Sequence, residues 1–234
     1  MISLAIRSRE DEQMDDPALP PAEYAAVLAD LAQVNRVTMA ARPTIHFLAR
    51  ALAGRRHVRL LDVGYGQGDM LRHIARWANR HGVTADLVGV DLNPNSAPAA
   101  RAATPADMPI DYRTGDYAAL AGGGFDVIVS SLVAHHMTDA QLAAFLRFME
   151  TEAAVGWMVN DLHRHRFAYA GFPLLAAMMR WHPIVAHDGR LSIARAFRRD
   201  DWRAILDGAG IGPAARSARI VRHFPFRLCV ERTR

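Results

Sequence analysis

Residues 58–93 read VRLLDVGYGQGDMLRHIARWANRHGVTADLVGVDLN, and this stretch decides the fold. An apolar run, Val58 to Val63, carries Asp62 near its end and enters a glycine-rich turn, Gly64-Tyr65-Gly66-Gln67-Gly68. Met70, Leu71, Ile74, Ala75 and Ala78 then recur at helical spacing, with Arg72, Arg76 and Arg80 between them. A second apolar run, Ala85 to Val90, ends in Asp91. Strand, tight turn, helix and second strand make one nucleotide-binding half of a doubly wound sheet. The glycines let backbone N–H groups approach a ligand with no Cβ in the way. The helix that starts there points its positive end at the same place. Asp91, 23 residues after Gly68, falls where a carboxylate can accept both hydroxyls of a ribose.

The pattern is D-x-G-x-G-x-G, with the third glycine out of register for the nicotinamide-binding G-x-G-x-x-G. DVGYGQG followed by VGVDLN resembles the first two motifs of the class I S-adenosylmethionine-dependent methyltransferases. The resemblance implies an α/β, Rossmann-like sheet of seven strands, mostly parallel, with a C-terminal antiparallel hairpin. It also implies S-adenosyl-L-methionine as cofactor and S-adenosyl-L-homocysteine as product. The cofactor set it implies is Asp62, Gly64, Tyr65, Gly66, Gly68, Asp91, Leu92, Asp116, Tyr117 and Ser131. In that family the glycine turn cradles the methionine part, and the acid after the second strand holds the ribose.

The 234 residues suffice for one domain with a generous core. Half of them are apolar, which excludes a disordered or fibrous chain. The most apolar stretch, Phe167 to Met179, is interrupted by Pro173 and falls short of the ~20 residues that span a bilayer. Arg7 to Asp16 is polar but for Met14, unlike a signal peptide, and the lone Cys229 excludes an internal disulfide. A cytoplasmic protein is expected. All 28 basic residues are arginine, and they alternate with acids rather than forming a stripe. A nucleic-acid partner is therefore not expected.

Taken in order, residues 1–18 read as a mobile or loosely docked arm. Two helices, roughly 21–34 and 43–53, follow, and residues 1–54 form a helical cap. The cap either packs on the sheet edge or serves as a lid over the cofactor, with Asn35-Arg36 as its hinge. Beyond Asp91, Asn93-Pro94-Asn95 caps a short helix, Ile110 to Arg113 make the third strand, and Asp116 follows. Asp116 is either a turn-initiating residue or, as the resemblance implies, the acceptor for the adenine amine. Phe125 to Ser131 and Val155 to Val159 are the fourth and fifth strands, separated by a helix from about Asp139 to Glu150. Residues 163–190 are an inserted, apolar helical segment, with His187-Asp188-Gly189 as a turn. Asp200 to Ala209 form the last helix, and Ile211 to Val221 with Phe224 to Arg232 form the terminal hairpin.

The chemistry is expected at the carboxyl ends of the strands. The fourth strand ends in Leu132-Val133-Ala134-His135-His136-Met137 and the fifth in Asn160-Asp161. In the methyltransferase strand order these two are neighbours, about 5 Å apart. A histidine suits removal of a hydroxyl proton near neutral pH, and a carboxylate can orient it. His135, His136 and Asp161 are therefore the candidate catalytic residues, resembling the base system of small-molecule O-methyltransferases. One of the two histidines could instead only shape the cofactor pocket. His163, His165 and His187-Asp188 lie nearby, but their spacing makes no helical pair of ligands, so no metal is expected.

The flanks MDDPALPPAEYAAVLADLAQVNR, VNDLHRHRFAY and HDGRLSIARAFRRDDW resemble bacterial methyltransferase-domain proteins that accompany type III polyketide synthases. That resemblance implies O-methylation of a hydroxyl on an aromatic, phenolic or polyketide-type natural product; the sequence leaves open a monomer or homodimer. C- or N-methylation of a small molecule, or a non-catalytic cofactor-binding module, are the competing readings. Ser130-Ser131-Leu132-Val133 replaces the N-P-P-[YF] clamp of enzymes that methylate exocyclic amines of nucleic-acid bases.

Overall fold

A computed structural model describes residues 4–234. These residues form a seven-stranded sheet in the order β3-β2-β1-β4-β5-β7-β6. The strands are β1 (His57–Val63), β2 (Thr84–Asp91), β3 (Asp111–Thr114), β4 (Val127–Ser131), β5 (Gly156–Leu162), β6 (Arg219–His223) and β7 (Arg227–Thr233). The first five run parallel, while β7 lies antiparallel between β5 and β6. The expected fold class is therefore the observed one. Strand order reverses between β1 and β4, which opens a crevice at their carboxyl ends.

Helices cover both faces. On one face α2 (Ala41–Ala51), α3 (Asp69–Arg80) and α4 (Ser96–Ala103) bury Phe47, Leu71, Ile74 and Trp77 against Leu60, Val127 and Met158. On the other, α5 (Asp139–Glu152) and α8 (Arg199–Gly208) bury Phe145, Leu146, Met149 and Trp202 against Leu61, Ile128 and Trp157. The central strands are covered on both sides, which explains their near-continuous apolar runs. Thr138 and Gln141 close a capping box at the start of α5.

Above the carboxyl ends sits a third layer of α1 (Pro21–Val37), α6 (Arg166–Met179) and α7 (Pro183–Arg195). Val27 and Val34 of α1 pack with Ala176, Trp181, Ile184 and Val185. This layer is tied to the sheet by the buried Asn160. Its amide donates to the Ala40 carbonyl at 2.7 Å and the Thr44 hydroxyl at 3.0 Å, at the α1–α2 junction.

Four local expectations need correction. His187-Asp188-Gly189 is not a turn but lies inside α7, which begins at Pro183 and is capped by His182. A Cβ on Gly189 would collide with the Phe172 ring, so this glycine serves the close approach of α6 and α7. Arg199–Gly208 is not the last helix. Pro213 starts α9 (Pro213–Ser217), so the hairpin begins at Arg219 rather than Ile211. β5 continues past Val159 to Leu162, because pairing with β7 extends to Leu162 and Arg227. Finally, the arm is firmly docked as far as it is described. Ser8 N–H donates to the Ala194 carbonyl, Arg7 ion-pairs with Asp139 at 3.0 Å, and Glu12 is buried; residues 1–3 lie outside the described residues.

Asn160→Leu removes a buried amide that donates to the Ala40 carbonyl and the Thr44 hydroxyl and accepts from Cys229. Losing these buried bonds should cost about 1–3 kcal/mol. A lowered denaturation midpoint with an unchanged slope in urea is the expected result.

Candidate active site

A cavity of about 680 Å³ lies where the crevice meets the helical layer. Its floor holds Gly64, Tyr65 and Gly66 from the turn, Asp91 and Leu92 from the end of β2, and Ser131 from the end of β4. Tyr117, His135 and His136 line it as well. The roof is apolar, with Leu28 and Leu31 of α1 and Phe167, Phe172 and Leu175 of α6. The inserted segment thus forms one wall of the cavity.

The turn departs from ordinary backbone where a ligand would approach. Gly66 has φ +53°, and a Cβ there would meet only Leu28 at 3.6 Å, so its bare side faces open space. Gly68 has φ +75° and lies under the Tyr112 ring, with no room for a Cβ. It packs α3 onto the sheet and does not line the cavity. Asp91 stands across from the turn, accepting from Gly66 N–H and Asn93 N–H at 2.9 Å each. Burial raises its pKa, against those bonds. Asp62 lies behind the turn, 1% exposed, with neither carboxylate oxygen hydrogen-bonded. Burial, with Asp69 and Asp91 nearby, pushes its pKa well above the usual carboxylate range. Like Gly68, Asp62 does not itself line the cavity.

Asp116 is the cofactor candidate that the structure places elsewhere. Its carboxylate accepts from Ala118 N–H at 2.8 Å and caps the short 3₁₀ turn Tyr117–Leu120, outside the cavity lining. The turn-initiating alternative therefore describes it, while the adjacent Tyr117 reaches the cavity. A turn aspartate and an adenine-binding one look alike in sequence, which is why the motif did not separate them.

Asp161 is fully buried and binds His135 twice. Oδ1 lies 2.7 Å from the ring Nδ1, and Oδ2 accepts the backbone N–H at 2.9 Å. Burial alone would raise the Asp161 pKa, but the charge and hydrogen bonds of His135 hold it below the ordinary value. The two histidines do not point apart. Their ring centres are 4.4 Å apart, and each Nε2 lies 3.7 Å from a different oxygen of Glu12. His136 Nδ1 faces Asp15 Oδ2 at 2.9 Å. Burial would lower the His136 pKa, but Asp15 and Glu12 outweigh it and raise it.

Glu12 and Asp15 escaped sequence reasoning because the arm carries no fold-like periodicity. Only tertiary contacts bring it here. Asp188 of α7 accepts from the backbone N–H groups of Gln13 at 3.0 Å and Met14 at 2.9 Å. Ser192 donates to Glu12 Oε1 at 2.8 Å. Arg195 donates to the carbonyls of Glu10, His135 and His136, clamping arm and histidine loop together. His163 and His165 stand apart from this group, ring against ring at 5.4 Å.

Residues 60–152 match the family model described as methyltransferase domain. Among curated proteins, the chain is 32% identical over 169 residues to the ubiquinone biosynthesis O-methyltransferase of Cereibacter sphaeroides, covering 70% of this chain and 64% of that protein. It is 37% identical over 115 residues to the enzyme of the same name from Azorhizobium caulinodans, covering 48% and 40%. The chain thus spans less than two thirds of the length of these curated relatives. Human N-acetylserotonin methyltransferase, solved with S-adenosylmethionine, superposes with a TM-score of 0.63 at 13% identity over 92% of this chain and 56% of that one. Magnesium protoporphyrin IX methyltransferase from Synechocystis, also with the bound cofactor, gives 0.54 at 15% identity over 85% and 81%. The fold is that of the class I methyltransferases. No helix among the described residues is long and apolar enough to cross a membrane.

Asp188→Ala removes the acceptor of two arm N–H groups. Hydrogen exchange across residues 10–16 should accelerate well above the unaltered protein while β1 and β4 stay protected. Unchanged exchange there would show that Arg195 and Ser192 hold the arm without it.

Proposed function

We propose that this chain is an S-adenosylmethionine-dependent O-methyltransferase of a small acceptor, with a His135–Asp161 base. What carries the reading is one cavity holding both the glycine turn with Asp91 and a histidine backed by a buried carboxylate. The match to the methyltransferase domain and the curated O-methyltransferase relatives support it. The acceptor is an aromatic hydroxyl compound, a class suited to the apolar walls of Phe167, Phe172, Leu28 and Leu31. The names of the relatives point to ubiquinone biosynthesis and offer no support for a polyketide product.

The residues present fit the cofactor. The bare face of Gly66 and the cavity-lining carboxylate of Asp91 are what its backbone-hugging chain and ribose would need, and the unpaired carboxylate of Asp62 lies buried behind the turn, outside the cavity lining. Gly64, Tyr65, Leu92, Tyr117 and Ser131 would complete its surroundings. S-adenosylmethionine, when bound, supplies a methyl group already activated on a sulfonium. The remaining work of the protein is to hold the acceptor in line and take its proton.

His135 does the second task. Its Nδ1–H donates to Asp161, which leaves Nε2 as the lone-pair nitrogen, facing Glu12 where both residues line the cavity. Nε2 takes the proton as the hydroxyl oxygen becomes nucleophilic. The imidazolium then lies between the carboxylates of Asp161 and Glu12, which stabilise its charge. The apolar roof and the docked arm flank the base on two sides.

Asp91→Ala should weaken S-adenosylhomocysteine binding at least tenfold by calorimetry, since charge-assisted bonds are worth about 1.5–3 kcal/mol each. Unchanged affinity would refute the ribose assignment. His135→Ala should lower turnover on a phenolic acceptor by about 10²–10⁴ with cofactor affinity kept. The loss should shrink for an acidic phenol already ionised at the assay pH. Near-normal turnover at neutral pH would mean that proximity alone suffices and the pair is structural.

A further inference from the structure

Glu12, His135 and His136 contribute three ligand-type atoms that lie within 4.8 Å of one another. The carboxylate of Glu12 is nearly sealed off, 4% exposed, and faces both imidazoles. Each Nε2–oxygen gap is 3.7 Å, too long for a hydrogen bond. An ion about 2.0–2.2 Å from nitrogen and oxygen ligands would bridge such gaps. The only hydrogen bond given to the Glu12 side chain among the described residues is from Ser192, to Oε1.

The outer partners agree. His135 Nδ1 is held by Asp161 at 2.7 Å and His136 Nδ1 by Asp15 at 2.9 Å. A carboxylate on Nδ1 sets the tautomer that leaves Nε2 free to bind a cation, and it makes that nitrogen a better donor. Both histidines carry this backing, and both turn Nε2 to the same carboxylate. Glu12, Asp15 and Asp161 bring three carboxylates to the group. The neighbouring guanidinium, Arg195, spends its N–H groups on the backbone carbonyls of Glu10, His135 and His136. Two imidazoles and one carboxylate, with the cavity on the open side, are a ligand set suited to zinc or another divalent transition ion rather than magnesium or calcium.

We propose that Glu12, His135 and His136 form a binding site for a divalent transition-metal ion, assembled only when the N-terminal arm docks. The site is separate in composition from the His163 and His165 cluster. It shares His135 with the proposed base, so an ion there occupies the lone pair that would take the acceptor's proton. Loading the site therefore blocks proton removal. This consequence, but not the binding itself, rests on the His135 reading.

The test is calorimetric titration of Zn²⁺ into the full chain after chelator treatment, with Co²⁺ visible absorption as a second readout. One ion per chain and ligand-field bands of a nitrogen–oxygen site are expected. Glu12→Gln, which keeps shape and removes charge, should weaken binding at least tenfold, as should His136→Ala. Asp15→Asn, which touches no ion, should cost about 10–100-fold. Thermal melting of each variant separates lost ligands from lost fold, and His136→Gln replaces any variant that fails to fold. Absence of stoichiometric binding would overturn the proposal, and so would affinity unchanged in both Glu12→Gln and His136→Ala. Turnover on a phenolic acceptor should fall as Zn²⁺ saturates the site. A rise instead would uphold the site and overturn His135 as the base.

Discussion

The carboxylate of Asp161 sits at the end of β5 with no access to water, and it is held ionised chiefly by His135. It accepts the ring Nδ1 and the backbone N–H of His135, and Leu162 N–H at 2.7 Å. A buried carboxylate without such partners would be protonated or would displace the structure around it. The pairing therefore fixes the loop after β4 against β5, and with it the orientation of both histidines. Removing only one partner of such a pair leaves a buried charge uncompensated, so the arrangement is stiff by necessity.

From that fixed loop the rest of the cavity follows. Arg195 reads the loop through its carbonyls and ties it to α7 and to the arm. Asp188 and Ser192, on the same helix, position the arm so that Glu12 faces the histidines. A segment with little core of its own is thus ordered by hydrogen bonds to buried polar side chains. The cost of burying those groups is offset only when every one is paired, which couples arm, helix and loop into one unit. On the other side, the glycine turn presents bare backbone at positive φ, and behind it the Asp62 carboxylate has no hydrogen-bond partner. That contrast marks which side of the cavity is complete in itself and which is shaped for a ligand.

The order of the parallel strands and the glycine turn were legible because both rest on local rules. Apolar runs of strand length, a helix of 3.6-residue period and glycines at positive φ leave direct traces in sequence. The meeting of His135 with Asp161 could be inferred as well, since strand order puts those two ends side by side. Asp116 was ambiguous, since the same residue type begins a turn or meets an adenine. The reading of His187-Asp188-Gly189 as a turn failed for a different reason. Glycine there answers to the Phe172 ring of the preceding helix, and the turn-like dipeptide does not report that helix–helix contact.

By itself the sequence determined the sheet, its nucleotide-type crevice and the chemical character of the residues at the strand ends. These depend on backbone propensity and on side-chain period, which act over a few residues. Tertiary structure alone decided that the N-terminal arm is part of the site, that both histidines turn toward Glu12, and that each is backed by its own carboxylate. Glu12 and His135 are 123 residues apart, and what joins them is burial of charge. Carboxylates sealed from water must find donors wherever the fold provides them, and that requirement has no period to read in the chain.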